Sequence, residues 1–202
     1  MIRMPILVSN IKAGLLLLTV LLLTFGFIPT FRSIPNPDFG FKIDSFLKKY
    51  SQNFKTINEN FNSNGNDFVL DNKTKSLWVK KVTLKNNTPF INSDKKIVYQ
   101  RLYLSFYQYE SPQQCTTAVD SLLNCFGTDC WSIKRGTDIN GVHTTPNIYV
   151  INEKEIIVCH LFCEHQNESW IKFKNELITT FGNSGSDVII SGCGGPLTFR
   201  KL

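Results

Sequence analysis

Three absences frame this 202-residue chain: no charged residue between Ala13 and Phe31, no acid before Asp38, and no cysteine before Cys115. Nineteen uncharged, leucine-rich residues make either a membrane-spanning helix or the apolar heart of a secretory signal, and both export the rest of the chain. Arg3 and Lys12 precede the run with no acid to offset them, so the amino end stays cytoplasmic and the chain from about residue 32 lies outside. With no cysteine beside the run, lipid attachment of the lipoprotein kind is excluded. Thr24 and Gly26 are small enough for a cleavage site, but bulky Phe25 and Phe27 surround them and Pro29 comes next, which favours an uncleaved anchor. Cleavage would make the remainder a secreted soluble factor.

Catalytic signatures are missing as well. There is no Cys-x-x-Cys pair and no internal repeat, so neither a zinc knuckle nor a thioredoxin-type redox site is indicated. The stretch Cys159-His160-Leu161-Phe162-Cys163-Glu164-His165 resembles a ligand cluster only in composition. On a strand Cys159 and Cys163 share a face about 13 Å apart, too far for one ion or for a mutual disulfide, while His160 points the other way. Asp120, Asp129, Asp138 and Glu164 show no pairing that would suit acid–base work. No catalytic residue, metal or cofactor is therefore expected, and an extracytoplasmic location excludes nucleic acid as a partner. A thiol oxidoreductase or other extracytoplasmic enzyme is the rival reading, and it needs a reactive cysteine.

The charges and cysteines that are present are unevenly spread. Between Gly40 and Arg101 there are 12 basic and 5 acidic residues, a net of +7, against 7 and 10 from Leu102 to Leu202. A basic half of this kind suits contact with anionic headgroups or envelope polymers, and equally a solvated face. All six cysteines, Cys115, Cys125, Cys130, Cys159, Cys163 and Cys193, fall in the second half, an even number suited to disulfides in an oxidising compartment. At least two bridges are expected, with Cys125–Cys130, or a link from Cys115 to the Cys159–Cys163 strand, among them.

Apolar spacing and turn residues divide the chain. Residues 1–31 form the anchor or signal, 32–41 a proline-containing linker, and 42–202 one extracytoplasmic domain. Ile43, Phe46, Leu47, Tyr50, Phe54, Ile57 and Phe61 recur at steps of three and four, predicting an amphipathic helix over about 42–61. Leu77–Leu84 reads as a strand, and Ile97–Tyr109 as a longer one with two unlike faces. Ser111-Pro112-Gln113-Gln114 caps a helix that buries Cys115, Ala118, Val119, Leu122 and Phe126. A hairpin over Asn147–Ile151 and Glu155–Cys163, a helix capped near Asn167 and a strand at Val188–Ser191 complete the pattern.

Over the core, 97–191, the order β-α-β-β-α-β predicts an α+β, ferredoxin-like split β-α-β sheet with both helices on one face. The other face would then be open and lined by Tyr99, Arg101, Tyr103, Tyr107 and Tyr109 of the long strand. Aromatic rings with hydroxyls suit a protein, peptide or glycan of the envelope, so the expectation is a membrane-tethered, non-enzymatic binding or assembly domain.

Overall fold

The computed structural model describes residues 36–58, 66–127, 129–142 and 144–202. The Asn36 side chain accepts from the Asp38 amide at 3.1 Å and Pro37 takes the first helical position, so helix α1 runs Pro37–Tyr50. Residues 37–41, expected in the linker, are thus its opening turns, and Phe39 is buried. The helix also stops eleven residues short of the expected 61, because the chain turns at 51–53 and Phe54–Ile57 becomes strand β1. Phe54 and Ile57 continue the helical spacing by coincidence; backbone pairing of Phe54 with Asn86 and Ile57 with Thr83 recruits them to the sheet instead. The apolar run Ala13–Phe31 lies outside the described residues. Among those described, no helix is long and apolar enough to cross a membrane.

The remaining elements are α2 (Asn66–Asn72), β2 (Trp78–Asn86), β3 (Phe90–Ile91), β4 (Ile97–Val98), β5 (Arg101–Gln108), α3 (Pro112–Leu123), β6 (Asn147–Ile151), β7 (Glu155–His160), α4 (Glu168–Phe181), β8 (Asp187–Ser191) and β9 (Leu197–Lys201). Local signals place the helix starts as expected: Ser111 accepts from the Gln114 amide at 3.3 Å, and Asn167 from that of Trp170 at 3.3 Å. The fold is α+β, with a seven-stranded sheet in the order β1-β2-β5-β7-β6-β8-β9, its neighbours antiparallel, and a separate ribbon of β3 and β4.

The expectation of one open face is corrected. Helices α1 and α4 cover one face, where Ile43, Phe46, Phe173 and Leu177 pack with Leu104, Phe106, Val150 and Ile157. Helix α3 and Leu70 of α2 cover the other, over Tyr107, Tyr149, Ile156 and Val158. The reason is topological. From β5 through α3 to β6 the chain skips over β7, and from β7 through α4 to β8 it skips over β6 in the same lateral direction. Such crossovers are almost always right-handed, and β5 and β7 run oppositely, so two equal sidesteps of one hand put the helices on opposite faces. In the ferredoxin-like order the last strand returns to the far side of the first and both helices share a face. Here β2 already occupies that place beside β5.

Candidate functional site

The long strand of the sequence divides in two, because Gln100 turns inward between β4 and β5. Its amide donates to Asn167 Oδ1 at 3.0 Å and to the His165 carbonyl at 3.3 Å, and its oxygen accepts from Ser169 at 2.7 Å. The five predicted contact residues are thereby separated. Tyr99 is 39% exposed, Arg101 is half-buried, and Tyr103, Tyr107 and Tyr109 are core. Tyr107 donates to Asp71 Oδ1 at 3.0 Å under α2, and the Tyr109 hydroxyl lies 3.3 Å from that of Thr74, its pKa pushed up to about 12 by burial. Tyr103 stacks on His160 with ring centres 5.1 Å apart, and Phe162 meets it edge-on. These three rings hold the sheet to its covers and offer no contact face.

Tyr103 belongs to a buried polar row that runs straight across five strands. Thr83, Tyr103, His160, Asn147 and Ser191 stand directly opposite one another in register, each under 7% exposed. Asn147 donates to the Thr144 hydroxyl at 2.7 Å and Ser191 to the Thr145 carbonyl at 3.2 Å, so the loop at 144–145 seals the row. Burial, with a lesser effect from the charge of Lys81, lowers the His160 pKa to about 3, which keeps the imidazole neutral.

One residue pair further toward the strand ends, on the same face, the side chains become cationic. β1 is short and reaches only the end of β2, where Lys55 stands opposite Lys85, and Lys85 stands opposite Arg101. Directly opposed like charges are unfavourable, by up to about 1 kcal/mol per pair at the ~5 Å spacing of opposed Cβ atoms in water. Among the described residues no carboxylate pairs with Lys55 or Lys85. Instead the Lys85 ammonium lies 4.5 Å from the centre of the Tyr99 ring, a cation–π contact at an exposed site. Two of the predicted contact residues, Tyr99 and Arg101, therefore share a neighbour in Lys85, which no pattern in the sequence groups with them, nor Lys55 on its other side. The spacing of its neighbours puts Lys55 on a helix, and no local signal carries the register that brings it beside Lys85.

On the opposite face a hollow of about 510 Å³ opens between α1 and α4, floored by Tyr50, Phe54 and Phe173. It carries its own carboxylate beside its two lysines: Glu176 pairs with Lys49 and accepts from the Tyr50 hydroxyl at 2.8 Å, and Lys172 lines the same hollow. The lysines of the cationic corner have no such carboxylate, which makes the corner the better candidate for an external ligand. The chain matches no family model, no curated protein and no solved structure. Chemistry at the corner, not likeness, has to carry the functional reading.

The cysteines divide into two bridges and two buried thiols. Cys125 pairs with Cys130, one of the expected alternatives, and Cys163 with Cys193, while Cys159 and Cys163 do not bond to each other. Cys115 and Cys159, both counted as disulfide candidates, remain thiols. Cys115 lies against the Asn152 carbonyl at 3.5 Å under α3, whereas Cys159 is in the core beneath α4, on the other side of the sheet. The expected link between helix and strand would have to pass through the sheet. Burial pushes the Cys115 thiol up to about 12, the Arg135 charge offsetting only part of this, so it supplies no thiolate at neutral pH. Non-reducing peptide mapping should return these two bridges, with Cys115 and Cys159 alkylated only after denaturation. Rapid alkylation of either in the native protein would restore the reactive cysteine that the oxidoreductase reading needs.

Proposed function

We propose that this chain is a membrane-tethered extracytoplasmic binding domain whose corner of Lys55, Lys85, Arg101 and Tyr99 holds an anionic component of the cell envelope. The opposed lysines are the observation that carries the reading: the fold tolerates Lys55 directly opposite Lys85 at its sheet edge, and a bound anion would turn that cost into affinity. Export is supported by the uncharged run Ala13–Phe31 with its basic flank and by two disulfides, which persist in oxidising compartments. The ring of Tyr99 beside Lys85 adds a flat surface with a hydroxyl, suited to a polar chain laid across the corner.

Lys55→Glu tests the reading because it separates stability from binding. It replaces a like-charge opposition with an opposite-charge one, so the folded state should gain a few tenths to about 1 kcal/mol. Retention of the full chain on heparin, used as a generic polyanion, should weaken about fivefold or more, as expected for the loss of roughly 1 kcal/mol of charge attraction. Unchanged retention beside a normal far-ultraviolet spectrum would remove the corner from consideration.

A further inference from the structure

Beyond the cationic corner, the chain between β2 and β5 rises into the ribbon of β3 and β4. Ile91 and Ile97 stand directly opposite each other, so their side chains leave the same face, and they are 70% and 74% exposed. The turn joining them is rigid. Asn92 Oδ1 accepts from the amides of Asp94 at 3.1 Å and Lys96 at 2.9 Å, and the Lys95 amide donates to the Asn92 carbonyl at 3.0 Å. Lys95 is held at φ 61°, the left-handed region that normally selects glycine or asparagine. A lysine in that position, with Lys96 next to it, puts two cations at the tip, both exposed, against one acid, Asp94.

Tyr99 lies two residues beyond Ile97 and carries Lys85 on its ring, so the ribbon runs into the corner without a break. From tip to base the surface therefore presents two ammonium groups, two bare isoleucines, a tyrosine and the two lysines of the corner, Lys85 and Lys55. A soluble polyanion, or a protein surface acidic throughout, would satisfy the cations and leave the isoleucine pair in water. An anionic bilayer satisfies both: short apolar side chains enter the headgroup–acyl boundary, tyrosine lies at headgroup depth, and lysine stems reach back to phosphates. We infer that the β3–β4 ribbon and the cationic corner dock on a lipid surface bearing anionic headgroups, with Ile91 and Ile97 inserted.

This inference rests on the anionic-partner reading of the corner and names that partner. The Asn36 amide donates to the Gln108 side chain, at the other end of β5 from the ribbon and roughly 25 Å away along an eight-residue strand.

The test is an Ile97→Cys variant of the full chain carrying a nitrobenzoxadiazole fluorophore, the two native thiols being buried. It is reconstituted in nanodiscs of phosphatidylcholine alone and of phosphatidylcholine with phosphatidylglycerol. The expected result is a blue-shifted, brighter emission in the anionic discs only, reversed by Lys95→Glu with Lys96→Glu. Identical emission in both discs overturns the inference, and so does an anionic-disc shift that survives the double reversal. If Lys55→Glu still weakens heparin retention in that case, the corner binds a soluble acidic chain instead. Association with anionic discs alone would sink the tether while leaving the docking intact, so the two failures are distinct.

Discussion

Replacing Tyr107 by alanine is expected to cost about 3–5 kcal/mol, seen as a fall in the denaturant midpoint at unchanged slope. The ring is fully buried and packs with the Leu70, Val119 and Leu122 side chains of α2 and α3, so its removal leaves a cavity that two helices would have to collapse to fill. Its hydroxyl also donates to Asp71, which forms an ion pair with Lys81, so the alanine variant takes a partner from a carboxylate. Tyr107→Phe keeps the ring and should lose only about 1.5–3 kcal/mol, the range for a hydrogen bond to a charged group. Tyr99→Ala, by contrast, removes a ring 39% exposed and should leave stability almost unchanged while weakening polyanion retention. Equal, small losses at both positions would mean that the tyrosine face is open after all.

That contrast shows what alternation in a strand can and cannot convey. The two unlike faces of Ile97–Tyr109 were legible, since Leu102, Leu104 and Phe106 do pack together and the odd positions do face elsewhere. Whether a second layer covers those odd positions depends on where β8 inserts, and that is a long-range choice. A hint lay in β6 and β7: Ile148–Ile151 and Ile156–Cys159 have no polar residue at alternate positions apart from tyrosine, and strands covered on both faces read this way. The helix caps at Ser111 and Asn167 were legible because a cap is settled within four residues. The same holds for Cys125–Cys130, whose partners are five residues apart, whereas Cys163–Cys193 required knowing that the turn after β8 returns beside the end of β7.

The corner was half legible for a similar reason. Tyr99 and Arg101 lie on one strand run and could be grouped by counting in twos, while Lys85 and Lys55 join them only through the pairing of three strands. β1 itself was hidden, because Phe54 and Ile57 suit a helical stripe and a strand equally well, and only the turn at 51–53 separates the two. The charge asymmetry of Gly40–Arg101 pointed to the right half of the chain without saying which of its 12 cations converge.

Acid should destabilise the domain well before its exposed carboxylates titrate, and His160 is the cause. In the unfolded chain its imidazole has the ordinary pKa near 6.5, whereas burial in the polar row holds the folded value at about 3. Above pH 6.5 neither state binds the proton and the full stability is present. As the pH falls from 6.5 toward 3 the unfolded chain takes up a proton that the folded one refuses, so the free energy of unfolding drops by about 1.4 kcal/mol per pH unit. Between pH 6 and pH 4 this amounts to roughly 2–3 kcal/mol, a large fraction of the stability of a domain this size. His160→Gln sacrifices the stack on Tyr103 and should be less stable than the parent at pH 7.5, yet position 160 then carries no group that titrates in that window. Guanidinium unfolding at pH 7.5, 6 and 4.5 should therefore give a shallow dependence for the variant and a steep one for the parent. Parallel slopes would show that the imidazole is reached by protons in the folded state, and that the loop at 144–145 with Phe162 does not seal the row.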